Sequence, residues 1–432
     1  MKIHFIGIGG IGVSALAKYY LKKGHKISGS DLVSSEITDA LREKGVKILI
    51  RKHRVENLPK SADLVVYSPA ILPNNPELKR ARDLKIRCQS YPEALGELTK
   101  KYFTIAVCGS HGKSTVTAMI GVLLTKAGLD PTVIVGTKVK EFGNSNCRVG
   151  KSKYLVIEAD EHFASFLNYW PKIIVLTTLE PDHLDYYKNF KNYLKAFQKF
   201  ISHLPKDGIL VANKDDRNTY NTFSTAVKNV LWYSLKQKEA GKMRRILKVP
   251  GEHNVSNALA VLAVARILRV PDKISFKVLS EYKGSWRRFD VKKLVIGHRS
   301  LVIVNDYAHH PTQIKVTLKA AREKFPKKEI WCIFQPHQYQ RTYYLWNDFV
   351  KVFKEAPVNK LILTDIYSVA GREKKEIKEK VNSKKLVKAV NSENVIFLQK
   401  QKIIDYLKKN LKGGEVVIIM GAGDIYDLAN IL

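Results

Sequence analysis

A short, mainly apolar stretch at 2–6 is followed by a run of glycines and then by Val13, Leu16, Ala17, Tyr20 and Leu21 on one helical face. That order predicts a strand, a tight turn and a helix. Residues 26–28 and 63–67 predict further short strands, and alternation of this kind means a parallel sheet covered by helices. Residues 91–101 read as a boundary. A new strand at 103–107 runs into a second glycine-rich turn, after which Val116, Met119, Ile120, Leu123, Leu124 and Ala127 keep helical spacing up to a stop at Gly128. Strands are predicted at 154–157, 173–177 and 209–212, a basic loop at 237–245 and a helix at 256–268. After Gly284-Ser285-Trp286 the pattern restarts, with strands at 301–304, 330–334, 360–363 and 416–420 between basic helices. No period repeats. The chain reads as three consecutive α/β units, 1–95, 96–283 and 284–432.

Length agrees, since 432 residues suggest three domains at roughly 150 residues each. Hydrophobic residues make up 45%, which excludes disordered and low-complexity classes. Charge adds a question: 74 Lys and Arg against 40 Asp and Glu leave +34, which predicts polyanionic partners. Cys88, Cys108, Cys147 and Cys332 lack metal-ligand spacing and read as reduced thiols. The start resembles a short signal peptide, but His4 and four glycines interrupt its apolar core. Arg266 cuts the apolar run at 258–268, so no membrane insertion is expected. The expectation is a soluble, cytoplasmic protein.

Two glycine turns carry the chemistry. Residues 7–12, GIGGIG, contain GxGxxG between a strand and a helix, and Asp31 ends the next strand. Glycines let backbone approach a pyrophosphate, and a helix N-terminus attracts it. Taken alone, this turn suggests a dinucleotide. The second turn, Cys108-Gly109-Ser110-His111-Gly112-Lys113-Ser114-Thr115, ends in Gly-Lys-Ser-Thr and is two residues shorter than the usual phosphate loop. Its amides suit phosphates, Lys113 suits the β/γ charge and the Ser114 hydroxyl suits Mg2+. Exposed acids after a strand are common. Beside a phosphate loop, however, Glu158 at the end of 154–157 becomes a candidate metal ligand, and His183 a second one. His253-Asn254 and Asn257 open a helix, Trp286-Arg287-Arg288-Phe289 reads either as a solvated basic turn or as a phosphate clamp, and polar clusters at 305–311 and 335–341 follow strands of the third unit. Polar residues at strand ends serve function. The Lys-rich run at 372–388 reads as a solvated helix face.

Together these segments resemble the Mur ligases of peptidoglycan precursor synthesis. The matching phrases are HFIGIGGIGVSALA, SGSD, GSHGKSTVTAM, IEADEHFASFL, LEPDHLDYY, GEHNVSNALA, WRRFD, NDYAHHPTQI, FQPHQYQRT, DIYSVAGRE and GAGDIYDL, in family order from residue 4 to residue 428. Ser110 and Ser114 stand where the family usually has Thr, and both hydroxyls survive. The resemblance implies an N-terminal Rossmann-like domain, a central P-loop ATPase domain with a mainly parallel sheet, and a C-terminal Rossmann-like domain. It implies ATP and Mg2+ as cofactors, UDP-N-acetylmuramate and L-alanine as substrates, and no nucleic-acid partner. Gly9, Gly10, Ile11, Gly12, Asp31, His53 and Ser68 would serve the sugar nucleotide. Gly109, Ser110, His111, Gly112, Lys113, Ser114 and Thr115 would bind ATP phosphates, with Asn254, Asn257, Arg288 and Asp306 around the rest of the nucleotide. Lys113, His111, Glu158 and His183 would act catalytically, with Ser114, Glu158 and His183 on metal. Tyr307, His309, His337 and Arg341 would receive the amino acid.

Three other readings compete. A related ligase attaches a recycled peptide to the same nucleotide, but usually departs from GIGGxG at the first glycines. An NAD-dependent oxidoreductase leaves the second turn unexplained. A nucleic-acid-binding ATPase rests on charge alone, without any recognition motif.

Overall fold

The structure, a computed structural model, describes residues 1–296, 299–369, 373 and 375–431. Of the sequence motifs, Ala370, Gly371 and Arg372 of the 365–373 phrase, and Lys374 of the Lys-rich run, lie outside the described residues.

The α/β expectation holds as three sheets. The first contains β1 (Lys2–Ile6), β2 (Lys26–Asp31), β3 (Lys47–Ile50), β4 (Leu64–Tyr67) and β5 (Arg87–Ser90) in the order β3-β2-β1-β4-β5. All its pairings are parallel. The second contains β6 (Phe103–Cys108), β7 (Thr132–Val139), β8 (Ser145–Arg148), β9 (Tyr154–Glu158), β10 (Ile173–Leu176), β11 (Ile209–Asn213) and β12 (Val230–Tyr233), ordered β12-β11-β10-β6-β9-β7-β8. Only its β7–β8 pair is antiparallel. The third contains β13 (Asp290–Ile296), β14 (Arg299–Asp306), β15 (Ile330–Phe334), β16 (Lys360–Leu363), β17 (Val395–Phe397) and β18 (Val416–Met420), ordered β13-β14-β18-β15-β16-β17. Here β13–β14 is the antiparallel edge.

The first two sheets, over Met1–Asp182, Asn189–Ile246 and Ser256–Glu281, make one compact unit; His183–Lys188, Leu247–Val255 and Tyr282–Leu432 make another. In the first unit the helix Tyr91–Thr99 spans residue 95 and leads from the first sheet to the second. The inner strands are the apolar ones: every residue of β10 is buried, as are Ile105 to Cys108 of β6. The strands that periodicity missed lie at or near sheet edges, among them β3, β5, β8, β12, β13 and β17. Arg87-Cys88-Gln89-Ser90 shows why, because an edge strand covers little core and carries polar side chains.

One segment differs from expectation in kind. Residues 237–245 read as a basic loop, yet Glu239–Ile246 is a helix. Its apolar face is only Ala240 and Met243, both buried, too few to show through the charges. Tertiary ion pairs hold it instead: Arg266 donates to Glu239 at 2.8 Å and to both oxygens of Asp272 at 3.0 and 2.8 Å.

Candidate active site

In the second sheet, β6 lies between β10 and β9, where the strand order reverses. Ligands bind at such switch points, beyond the carboxyl ends of the strands. The second glycine turn emerges there and opens the helix Lys113–Lys126. Gly109 has φ +125°, and a Cβ there would come within 2.2 Å of Thr177 Oγ1. Ser110 fastens the turn to the segment after β10. Its N–H donates to the Thr178 carbonyl at 2.8 Å, its hydroxyl donates to the Glu180 carbonyl at 3.0 Å, and it accepts the Glu180 N–H at 2.8 Å. His111 gives its N–H to Thr178 Oγ1 at 3.2 Å, and its Nε2 lies 3.3 Å from Glu180 Oε2. The Ser110 and His111 amides are thus committed to the protein. The first intrahelical bond runs from Val116 N–H to the Gly112 carbonyl, so the amides of Lys113, Ser114 and Thr115 precede it at the helix N-terminus, an arrangement suited to an anion. Asn257 stands beside them: a Cβ on Gly112 would meet its Oδ1 at 2.6 Å.

Lys113 Nζ donates to the Gly109 carbonyl at 2.7 Å and to Glu161 at 2.9 Å. Burial works against its charge, but Glu161, Asp160 and Glu158 outweigh burial and hold the ammonium above its ordinary range. It is a permanent cation. Ser114 Oγ donates to Glu158 Oε1 at 2.9 Å, and Glu158 Oε2 accepts the Gly136 N–H at 2.7 Å. A hydroxyl and a carboxylate at the mouth of a phosphate loop are hard oxygen donors of the kind magnesium takes. Glu161 was not singled out by sequence reasoning, although it closes the same acidic run, Glu158-Ala159-Asp160-Glu161.

The first turn follows β1, at the switch point between β2 and β4. Gly7 and Ile8 give their N–H groups to the Ser30 carbonyl at 2.9 and 3.1 Å, and Gly9 gives its own to Asp31 Oδ2 at 2.8 Å. Gly10 caps the helix Ile11–Lys22, and Ser68 abuts Gly7, 3.0 Å from where a Cβ would sit. Gly12 lies under Tyr91, whose ring carbon a Cβ would meet at 2.8 Å. His53 belongs to a network unseen in the sequence. The fully buried Glu77 accepts from Ser30 Oγ at 2.8 Å and Asn57 Nδ2 at 3.0 Å, and lies 2.6 Å from His53 Nδ1 and 3.0 Å from His4 Nε2. Burial pushes this carboxyl up, but the bonds from His4, Asn57, His53 and Ser30 prevail and hold it down at about 2.

The other unit carries the remaining expected residues. Asp306 ends β14 buried, its Oδ1 accepting the Ala308 N–H and its Oδ2 the Phe289 N–H, both at 2.8 Å. Burial raises its pKa against the pull of Arg288 and those amides. Arg287, unassigned from sequence, is buried and bonds the Gly421 and Gly423 carbonyls, and its carbonyl accepts the Tyr307 N–H at 2.8 Å. The guanidinium carbons of Arg287 and Arg288 lie 4.8 and 4.9 Å from the centre of the Tyr307 ring. Tyr307, His309, His337 and Arg341 do come together: His309 is 5.3 Å from Tyr307 and 5.9 Å from His337, and Arg341 donates to the His337 carbonyl at 3.3 Å. Tyr367, stacked on His337 at 5.4 Å, completes the row. Asn254 bonds the Pro250 carbonyl at 2.7 Å. His183, at φ +51°, precedes the short helix Leu184–Tyr187, which packs on Tyr339–Tyr344.

Comparison with known proteins adds a lineage to this geometry. Residues 2–103 match the Mur ligase family catalytic domain, 107–265 the Mur ligase middle domain and 287–423 the Mur ligase glutamate ligase domain. The chain is 42% identical to a UDP-N-acetylmuramate–L-alanine ligase of Caldanaerobacter subterraneus, over 99% of this chain and 96% of that protein. It is also 42% identical to the protein of that name in Acetivibrio thermocellus, over 98% and 94%. A crystal structure of UDP-N-acetylmuramate–alanine ligase from Thermotoga maritima superposes with a TM-score of 0.81 at 27% identity, covering 100% of this chain and 98% of that one. A murein peptide ligase from Psychrobacter arcticus shares the fold, with a TM-score of 0.73 at 23% identity over 100% and 98%. A phosphate loop with its lysine and acidic partner, a second glycine turn in the same unit and a match along all three sheets lead to one conclusion: this chain belongs to the Mur ligase family.

Proposed function

We propose that the protein joins L-alanine to the lactyl carboxylate of UDP-N-acetylmuramate at the expense of ATP, as a step in peptidoglycan precursor synthesis. The observation that carries the choice of substrates is the near-full-length likeness to L-alanine ligases at 42% identity. The observation that carries the chemistry is the Lys113–Glu161 and Ser114–Glu158 arrangement at the second glycine turn.

A carboxylate is a poor acyl donor. Its oxygen attacks the ATP γ-phosphoryl group, ADP departs, and an acyl phosphate results. The amine of L-alanine then attacks the acyl carbon, loses a proton and expels phosphate, leaving an amide. No protein nucleophile is needed, so the chain's task is to position groups and stabilise charge. Lys113, held cationic, faces the charge of the transferring phosphoryl. The amides of 113–115 would hold the phosphates, and His111, braced by Glu180, would stand beside them. Ser114 and Glu158 would hold Mg2+, which neutralises phosphate charge as a Lewis acid. His183 is carried as a ligand for a second ion on its sequence position. The first turn, with Ser68 and His53, would take the diphosphate of the sugar nucleotide. Tyr307, His309, His337 and Arg341 would receive the amino acid, Arg341 opposite its carboxylate.

The test offers purified protein ATP, Mg2+ and UDP-N-acetylmuramate with L-Ala, Gly, L-Ser or the recycled murein peptide, and measures phosphate release. Release that requires both the sugar nucleotide and L-alanine is expected. Turnover with the peptide alone would reassign the acceptor. ATP hydrolysis driven by nucleic acid instead would end the ligase reading.

A further inference from the structure

The antiparallel hairpin β7–β8 touches both glycine-turn sites of the first unit. On β7, Gly136 gives its N–H to Glu158 Oε2, and a Cβ there would meet that oxygen at 2.7 Å, so glycine is what lets backbone reach the carboxylate. On β8, Asn146 is 1% exposed, and its amide is committed wholly to the helix Ile11–Lys22. Nδ2 donates to the Ile11 carbonyl at 2.5 Å and to Ser14 Oγ at 2.9 Å, while Oδ1 accepts from Lys18 Nζ at 2.8 Å. The Ile11 carbonyl belongs to the first residue of that helix, within the first glycine turn. A second tie runs from Lys138 to Glu36 at 2.5 Å.

Apolar contact alone would hold two domains together without fixing their angle, because it is non-directional. Three hydrogen bonds from one planar amide to one helix do fix it. The proposed reaction is sensitive to that angle. The sugar-nucleotide carboxylate, carried by the first turn, must reach to about 3–3.5 Å of a phosphoryl carried by the second, and an error near 1 Å can cost about 100-fold in rate.

We propose that Asn146 is a positioning residue which, through the β7–β8 hairpin, sets the separation of the sugar-nucleotide turn from the Glu158 side of the ATP site. The inference rests on the ligase reading above. It predicts a loss in the chemical step, with each substrate still bound separately.

The experiment compares wild type with Asn146→Ala at a temperature where circular dichroism shows both folded. Dissociation constants for UDP-N-acetylmuramate and for a non-hydrolysable ATP analogue are measured one at a time, alongside steady-state turnover. Expected is a kcat lower by about 10- to 100-fold, with each dissociation constant within about three-fold. A purely structural asparagine would lower the melting temperature and leave kcat of the folded enzyme unchanged; kcat within about two-fold of wild type overturns the proposal. Should Asn146→Ala fail to fold, Ser14→Ala and Lys18→Met each remove one contact from the helix side, and an unchanged kcat in both overturns it equally. A wild type inactive with these substrates would overturn the ligase reading and this inference together. An active wild type with an equally active variant overturns the inference alone.

Discussion

The two glycine turns of the first unit use one backbone device with side chains of opposite charge. Each follows an inner strand at a switch point, and each opens a helix, of 12 residues in the first case and 14 in the second. At the second turn a lysine folds back on its own loop, and three acids keep it charged. Among the described residues, no lysine or arginine is bonded to the first turn in this way. An aspartate takes the Gly9 N–H, and behind it lies the Ser30–Glu77–His53 network. A helix N-terminus suits phosphate in both cases. Only the turn with a built-in cation is equipped for phosphoryl transfer, where negative charge must be stabilised as it moves. On the proposed reading, the other holds its ligand without transferring it. Asp31, at the end of β2, braces the turn itself.

The largest expected effect tests that division. Lys113→Ala should lower kcat by about 1,000-fold or more while binding of the sugar nucleotide, measured by titration calorimetry, stays unchanged. Retained turnover would remove the second turn from the chemistry and erase the distinction. Next comes Gly109→Ala, whose methyl would collide with Thr177 at a backbone angle that alanine avoids. A stability loss of about 3 kcal/mol is expected in urea unfolding, together with lost ATP binding.

Glu77→Gln sharpens the contrast from the other side. A carboxyl lowered from 4.5 to about 2 corresponds to about 3 kcal/mol. Its folded-state pKa lies below the unfolded one, so this stability is complete above about pH 4.5 and fades as pH falls towards 2. The variant should be less stable at pH 7 by a comparable amount and should lose that acid-side slope, with ATP binding intact. An unchanged unfolding profile between pH 2 and 5 would dismiss the network.

Gly10→Ala should do least. Gly10 has φ −63°, and a Cβ would have its nearest neighbour at 3.5 Å, so stability should move by less than about 0.5 kcal/mol. KM for the sugar nucleotide should rise several-fold, because only a bound phosphate would meet the added methyl. An unchanged KM would take Gly10 off the binding surface.

Which of these residues were legible follows from how each is assembled. Gly109 to Thr115 could be read directly, since strand, turn and helix are contiguous and the chemistry lies within seven residues. Glu158 could be inferred because a strand end beside such a turn is a restricted place. Glu77, Tyr91, Asn146, Arg287 and Tyr367 could not, because each acts on a partner distant in sequence: Asn146 on Ile11, Arg287 on Gly421. The helix Glu239–Ile246 was hidden for a related reason, its stabilising partner being Arg266.

What the amino-acid order determined alone was therefore the alternation of strands and helices, the apolar runs of the inner strands, and the glycine stereochemistry of two local turns. Local periodicity and turn stereochemistry act within a few residues, and they survive without knowledge of the fold. Tertiary structure decided which turn amides are committed to the protein, which acid holds Lys113, how Glu77 aligns His53, and how one hairpin reaches both turns. Those depend on hydrogen bonds and charges whose strength is set by burial and orientation, and neither exists until remote segments have packed.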